Sequence, residues 1–170
     1  MAWDSTMRIV EGKTDREMAH IVFSRFSCGD TKDGIKYSLG GLYVHPFVTR
    51  VSREALIGIG KICPQAIVRG KGVDYKKLQV RKMGITREHV IPVTELYEHL
   101  IALPNLTEQC ILDFMAKLEI ALISDQENDK LKAAGFHSAM PDGWWDTSGL
   151  DPFDRYRAAG LDDSIWIKNF

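Results

Sequence analysis

The chain has 170 residues, with 22 Lys and Arg against 23 Asp and Glu for a formal net charge of −1, and 45% of its positions are hydrophobic. A chain of this length and balance fits one soluble globular domain, residues 1–170, that buries enough apolar surface to fold without staples. Charged residues at 26% and aromatics at 9% exclude a disordered or collagen-like chain, and the near-neutral charge argues against a polybasic tail protein while leaving room for a local basic groove. The three cysteines, Cys28, Cys63 and Cys110, form no C-x-x-C pair, which favours a reducing compartment. No apolar run after Met1 reads as a signal peptide or a membrane span, so a cytoplasmic location and no membrane partner are expected.

In chain order, Thr14 to Phe26 carries Met18, Ile21, Val22 and Phe26 at helical spacing behind a Thr14 cap with Glu17 three residues on, a capping-box pattern. Ile35 to Val44, broken by Gly40-Gly41, reads as a weak strand or hairpin. Ser52 to Cys63 reads as a helix that Pro64 ends, with Gly58 and Gly60 weakening it. From Arg69 to Arg87 the composition changes: Arg69, Lys71, Lys76, Lys77, Arg81, Lys82 and Arg87 face only Asp74, a local balance of +6. The short apolar run Val90-Ile91-Pro92-Val93 reads as a strand opened by Glu88-His89. Thr94 to Leu103 and Thr107 to Leu118 follow as helices on either side of a Pro104-Asn105 break. Glu119 to Ile123 is a second buried strand, and Ser124-Asp125-Gln126-Glu127 caps a helix that stops at Gly135. The tail holds Trp144, Trp145 and Trp166, and between Asp142 and Asp163 six Asp oppose two Arg, a local balance of −4. A short helix is expected from Asp151 to Ala159.

The polar landmarks of the second half point to phosphodiester chemistry. Hydrolysis of such a bond needs a base to deprotonate water and a divalent cation to offset charge on the phosphate and the leaving oxygen. An imidazole beside a carboxylate, completed by an oxygen ligand from a helix, supplies both, and Mg²⁺ needs only one or two protein ligands because it keeps several waters.

Glu88-His89-Val90-Ile91-Pro92, with the downstream run Ile120 to Leu131, resembles the HNH nucleases, whose fold is the ββα-metal motif. The resemblance covers residues 84 to about 140 and implies an α+β fold: a ββα-metal core at 84–140, an N-terminal helical and strand region at 1–83, and a Trp-rich acidic tail at 141–170. It further implies a metal-dependent endonuclease cutting DNA, with His89 as general base, Glu88 and Asn128 as ligands of Mg²⁺ or another divalent cation such as Mn²⁺, and Glu127 and Asp129 as weaker ligand candidates. Lys76, Lys77, Arg81, Lys82 and Arg87 would grip the phosphate backbone. His137 is a candidate auxiliary phosphate contact, and Asn105 is the candidate for the family's middle Asn. The two strands are separated by about 27 residues of helical character where many members have a short loop, and the paired zinc-holding cysteines of many members are absent. Restriction or another defence role, a mobile element or a toxin would suit such an enzyme, and cutting both strands with one site favours a homodimer. His20, His45 and His99 read as ordinary histidines, and Trp144-Trp145 as core or subunit contact. A non-catalytic nucleic-acid-binding module and a protein-interaction domain of adaptor or immunity type are the rival readings.

Overall fold

In the computed structural model, which describes residues 13, 15–42, 47–115, 117–146 and 150–167, the protein has the expected α+β architecture. Its described elements are α1 (Asp15–Ser27), α2 (Lys32–Gly41), β1 (Phe47–Val48), β2 (Arg50–Val51), α3 (Arg53–Ile62), β3 (Ile67–Val68), β4 (Gly72–Asp74), β5 (Ile85–His89), α4 (Val93–Ala102), α5 (Glu108–Met115), β6 (Ile120–Ser124), α6 (Asp125–Ala133) and α7 (Asp154–Ala158). No helix among the described residues is long and apolar enough to cross a membrane.

The chain divides into two compact units. One is helical: α1 packs on α5 and α2 on α4. Its core includes Met18, Ala19, Val22, Ile35, Leu39, Leu96, Leu100 and Ile111. The α2 segment overturns the strand expected from Ile35 as far as Gly41, the end of that expectation at residues 43 and 44 lying outside the described residues, because the apolar side chains Ile35 and Leu39 lie four apart and both are buried, a helical rather than an alternating period. Thr31 caps this helix by accepting the Gly34 amide at 3.1 Å. The Thr14 cap proposed for α1 lies outside the described residues.

The other unit holds all six described strands with α3, α6 and α7. One antiparallel sheet runs β1-β4-β3, and one mixed sheet runs β2-β6-β5. At the centre of the mixed sheet, β6 pairs parallel to β2 and antiparallel to β5, in a register that sets Ile85 opposite Ser124 and His89 opposite Ile120. Ile120 to Ile123 are all buried, as a strand covered on both faces requires.

Strand alternation then sorts the side chains. Thr86 and Glu88, opposite Ile123 and Ala121, share the face that carries the apolar cluster of Val90, Ala121, Ile123, Leu131, Phe153, Tyr156, Leu161 and Trp166. Ile85, Arg87 and His89 share the other face. There α3 approaches so closely that a Cβ on Gly58 would sit 3.6 Å from the Met83 carbonyl oxygen and 3.7 Å from Ile85 Cδ1.

The strand expected from Val90 to Val93 is displaced. It covers Ile85 to His89 instead, the chain bends at Val90-Ile91, and Val93 begins α4. Glu88-His89 therefore closes the strand rather than opening it.

Candidate functional site

Three polar clusters surround the β5–β6–α6 sequence, each built by a different local device. The first lies at the end of β5. Glu88 is 7% exposed, and its Oε2 accepts a hydrogen bond from Arg155 Nη2 at 2.9 Å. Arg155, on α7, has no exposed surface. The same Nη2 donates to the His89 carbonyl at 2.7 Å and to the Tyr156 hydroxyl at 3.1 Å, while Nη1 donates to the carbonyls of Phe136 at 2.8 Å and His137 at 3.3 Å. One buried guanidinium thus ties the strand end to the segment after α6, and the fork geometry of arginine makes this multiple bonding practicable. Burial pushes the Tyr156 phenol up to about 12, so it stays protonated.

His89 lies beside this cluster by its backbone, but its ring belongs to the opposite strand face with Arg87. Burial first, and then the positive charges of Arg87 and Arg155, push its imidazole down to about 4. The ring is therefore neutral at pH 7, with its proton affinity reduced.

The second cluster is the N-terminus of α6. Ser124 caps the helix, and Glu127 closes a capping box, its Oε2 accepting the Ser124 amide at 2.7 Å, the Ser124 hydroxyl at 3.0 Å and the Ser52 hydroxyl at 2.5 Å. Ser52 is itself the N-cap of α3. Glu127 is 4% exposed and is committed to this structural task. Asp129 stands on the surface, paired with Lys132 at 3.0 Å.

The third cluster contains Asn128, which is 6% exposed. Its Nδ2 donates to Thr86 Oγ1 at 3.3 Å, and Thr86 Oγ1 donates to Asp125 Oδ1 at 2.9 Å. The Asn128 Oδ1 is buried with no hydrogen-bond partner. An amide oxygen in that state costs roughly 1–3 kcal/mol and is the kind of donor a hard cation or a water takes up.

The structure thus brings Glu88 and Asn128 to the same face of the sheet, since Asn128 meets Thr86 and Thr86 and Glu88 are alternate residues of β5. His89 is not brought to Asn128. Thr86 precedes it by three residues, about 10 Å of strand, and the two point to opposite faces. As a cation site the donor set fits unevenly. Asn128 offers an unpartnered oxygen, whereas the Glu88 carboxylate already faces the Arg155 charge. Among the described residues no group of three or more His, Cys, Asp and Glu side chains is placed to hold a metal ion.

The basic stretch folds as the β3–β4 hairpin and two 3₁₀ turns of the same unit. The hairpin tip Arg69-Gly70-Lys71 exposes both cations, and Gly70 and Gly72 take φ of 74° and 110°; a side chain at Gly72 would drive a Cβ to 2.5 Å from the Val48 carbonyl. Lys76, Lys77 and Lys82 are exposed. Asp74 caps the next turn through the Lys76 amide at 3.2 Å and pairs with Lys77 at 3.3 Å. The Arg87 guanidinium stacks 4.7 Å over the Tyr75 ring. The side chain of Arg81 lies outside those described.

No protein-family model, curated protein or solved structure matches the chain.

Of the remaining candidates, His137 is exposed and enters the first cluster only by its carbonyl. Asn105 is exposed in a turn of the helical unit, where His20 pairs with Glu108 at 2.6 Å and His99 meets Phe114 edge-on at 5.2 Å. His45 falls outside the described residues. Trp144 is buried, its Nε1 donating to the Asp151 carbonyl at 2.9 Å and its ring 4.7 Å from that of half-buried Trp145, so Trp144 takes the core alternative of the two expected. Sequence reasoning missed Arg155, Thr86 and the bond from Ser52 to Glu127. Arg155 sits in a tail of mixed charges, where nothing in the local pattern separates a buried arginine from a solvated one.

Proposed function

We propose that the mixed unit is a metal-dependent endonuclease of HNH type acting on DNA. What supports this most is the pairing of the strand that carries Glu88-His89 with the strand that runs directly into the Asn128 helix, the strand-strand-helix order of the ββα-metal motif. In this reading Asn128 Oδ1 and Glu88 would hold Mg²⁺ or Mn²⁺, which would supply positive charge for the scissile phosphate and the departing oxygen. His89, neutral at pH 7, takes the proton of the attacking water. The reading requires the His89 ring to come round the end of β5, where the chain bends at Val90, to the side of Glu88 and Asn128. Lys76, Lys77, Arg81, Lys82 and Arg87 hold the backbone, a cytoplasmic restriction or defence role is the setting, and a homodimer delivers cuts to both strands.

A second reading, a nucleic-acid-binding module without catalysis, is favoured by the Arg155 guanidinium that already neutralises Glu88. Supercoiled plasmid, unmodified and modified, and a single-stranded RNA are incubated with the protein and Mg²⁺ or Mn²⁺. Cleavage lost with EDTA and with His89→Ala upholds the nuclease, and the substrate cut names DNA or RNA. Salt-sensitive binding without cleavage, weakened in the Lys76→Ala/Lys77→Ala/Lys82→Ala variant, upholds the binding module. Absence of binding at low salt rejects both and leaves a protein-interaction domain.

A further inference from the structure

We propose that Arg155 is a positioning residue for Glu88 and His89, setting the end of β5 on which both stand. The consequence for catalysis rests on the nuclease reading above; the placement itself rests on geometry. Packing alone does not call for this residue. A fully buried guanidinium loses its hydration, and a pair of apolar side chains of similar volume in place of both Arg155 and Glu88 would often be as stabilising or more so. What the guanidinium supplies is direction. Its Nη2 holds the last carbonyl of β5, that of His89, and the carboxylate of the residue before it, and its Nη1 anchors the same plane to the carbonyls of Phe136 and His137 just past the Gly135 stop of α6. The plane of the guanidinium is in turn fixed by Tyr156, whose ring lies 4.9 Å from Cζ and whose hydroxyl accepts from Nη2. The carboxylate torsion of Glu88 and the backbone at His89 are therefore set by one rigid group rather than by two independent contacts. A lysine at this place keeps the charge but has a single ammonium, which cannot span the Phe136 carbonyl and the Glu88 carboxylate at once.

The test uses the full chain and Arg155→Lys. Folding is followed by circular dichroism, affinity for a labelled DNA duplex is measured in EDTA, and single-turnover cleavage of that duplex is measured with Mn²⁺. The His89 amide and ring resonances are followed by NMR. The expected result is a folded variant with duplex affinity within about twofold of wild type, a cleavage rate constant lower by about 10- to 100-fold, and displaced His89 resonances. A merely structural role would lower the melting temperature and leave the rate constant of the folded fraction unchanged. A folded variant with wild-type cleavage or unmoved His89 resonances overturns the proposal. If wild-type protein does not cut any duplex, the nuclease reading fails by itself, and the resonances alone decide the placement: displaced they uphold it, unmoved they overturn it. Should Arg155→Lys not fold, Tyr156→Phe removes one acceptor from Nη2 and leaves the guanidinium in place. Smaller displacements at His89 in the same direction then uphold the proposal, and none overturns it.

Discussion

In the helical unit Glu108 meets His20 at 2.6 Å with side chains 38% and 64% exposed, whereas in the mixed unit Glu88 meets Arg155 at 2.9 Å with 9% and 0% exposed. The distances are alike and the physics is not. At the surface, water screens the pair and competes for both partners, so its net contribution is small. In the interior each charge depends on the other, because either one alone would be left desolvated and unpaired. Both units carry exposed pairs, Arg25 with Asp30 and Lys32 with Glu98 in the helical one and Lys132 with Asp129 in the mixed one, but the mixed unit also buries the carboxylate of Glu127, which accepts hydrogen bonds from Ser52 and Ser124.

Removing Arg155 is the most severe way to break this contrast. Arg155→Met leaves Glu88 buried and unpaired and is expected to cost about 3–5 kcal/mol in urea unfolding. The double variant Arg155→Met/Glu88→Met should recover most of that loss. A single variant that costs under about 1 kcal/mol would mean that the interior pair behaves like a surface one.

The folded His89 is held near 4 while the unfolded imidazole titrates near its ordinary 6.5, so between these values the unfolded chain binds the extra proton. Stability is expected to be full above about pH 6.5 and to fall as the pH drops toward 4, by up to about 3 kcal/mol from this group. Urea midpoints at pH 7.5, 5.5 and 4 in wild type and His89→Gln check it: the variant should lose part of the slope. Ser52→Ala deletes both the α3 cap and a hydrogen-bond donor to buried Glu127, with an expected cost of about 1–3 kcal/mol by the same unfolding assay. Glu108→Gln, at the surface pair, should shift stability by about 0.5 kcal/mol or less. A larger shift there would dissolve the contrast from its other side.

Much of the fold was legible where a single local rule governed it. Ser52 with the apolar spacing behind it marks α3, and Ser124 with Glu127 marks the capping box of α6. The buried run ending in Ile123 marks β6, and Gly135, at φ 83°, marks a helix stop. Where tertiary context competed with a local signal, the reading slipped. Gly40-Gly41 suggested a break within a strand or hairpin and instead forms the last two residues of α2, because Ile35 and Leu39 bury a helical face before it. The run Val90 to Val93 looked like a strand because it is apolar. The strand is instead the more polar Ile85-Thr86-Arg87-Glu88-His89, whose pairing partner β6 supplies the hydrophobic requirement from the other side. At the candidate site, residue types announced Glu88, His89 and Asn128, but not which face of β5 each would use, since alternation depends on where the strand ends. Arg155 left no trace, because burial of a charge depends on partners about 67 residues away in the chain.

The two strands at the heart of the mixed sheet are neighbours in space, yet the whole of α4 and α5 is made between them. Thr86 and Glu88 therefore have no β6 beside them until both helices have been synthesised. Until then β5 is an open edge, able to pair with any other extended segment. Contacts this distant in sequence form slowly, because the loop must be closed before they gain anything from pairing. The order of synthesis thus makes closure of the mixed sheet a late event, with a period in which the nascent chain is open to chaperones and to misassembly alike.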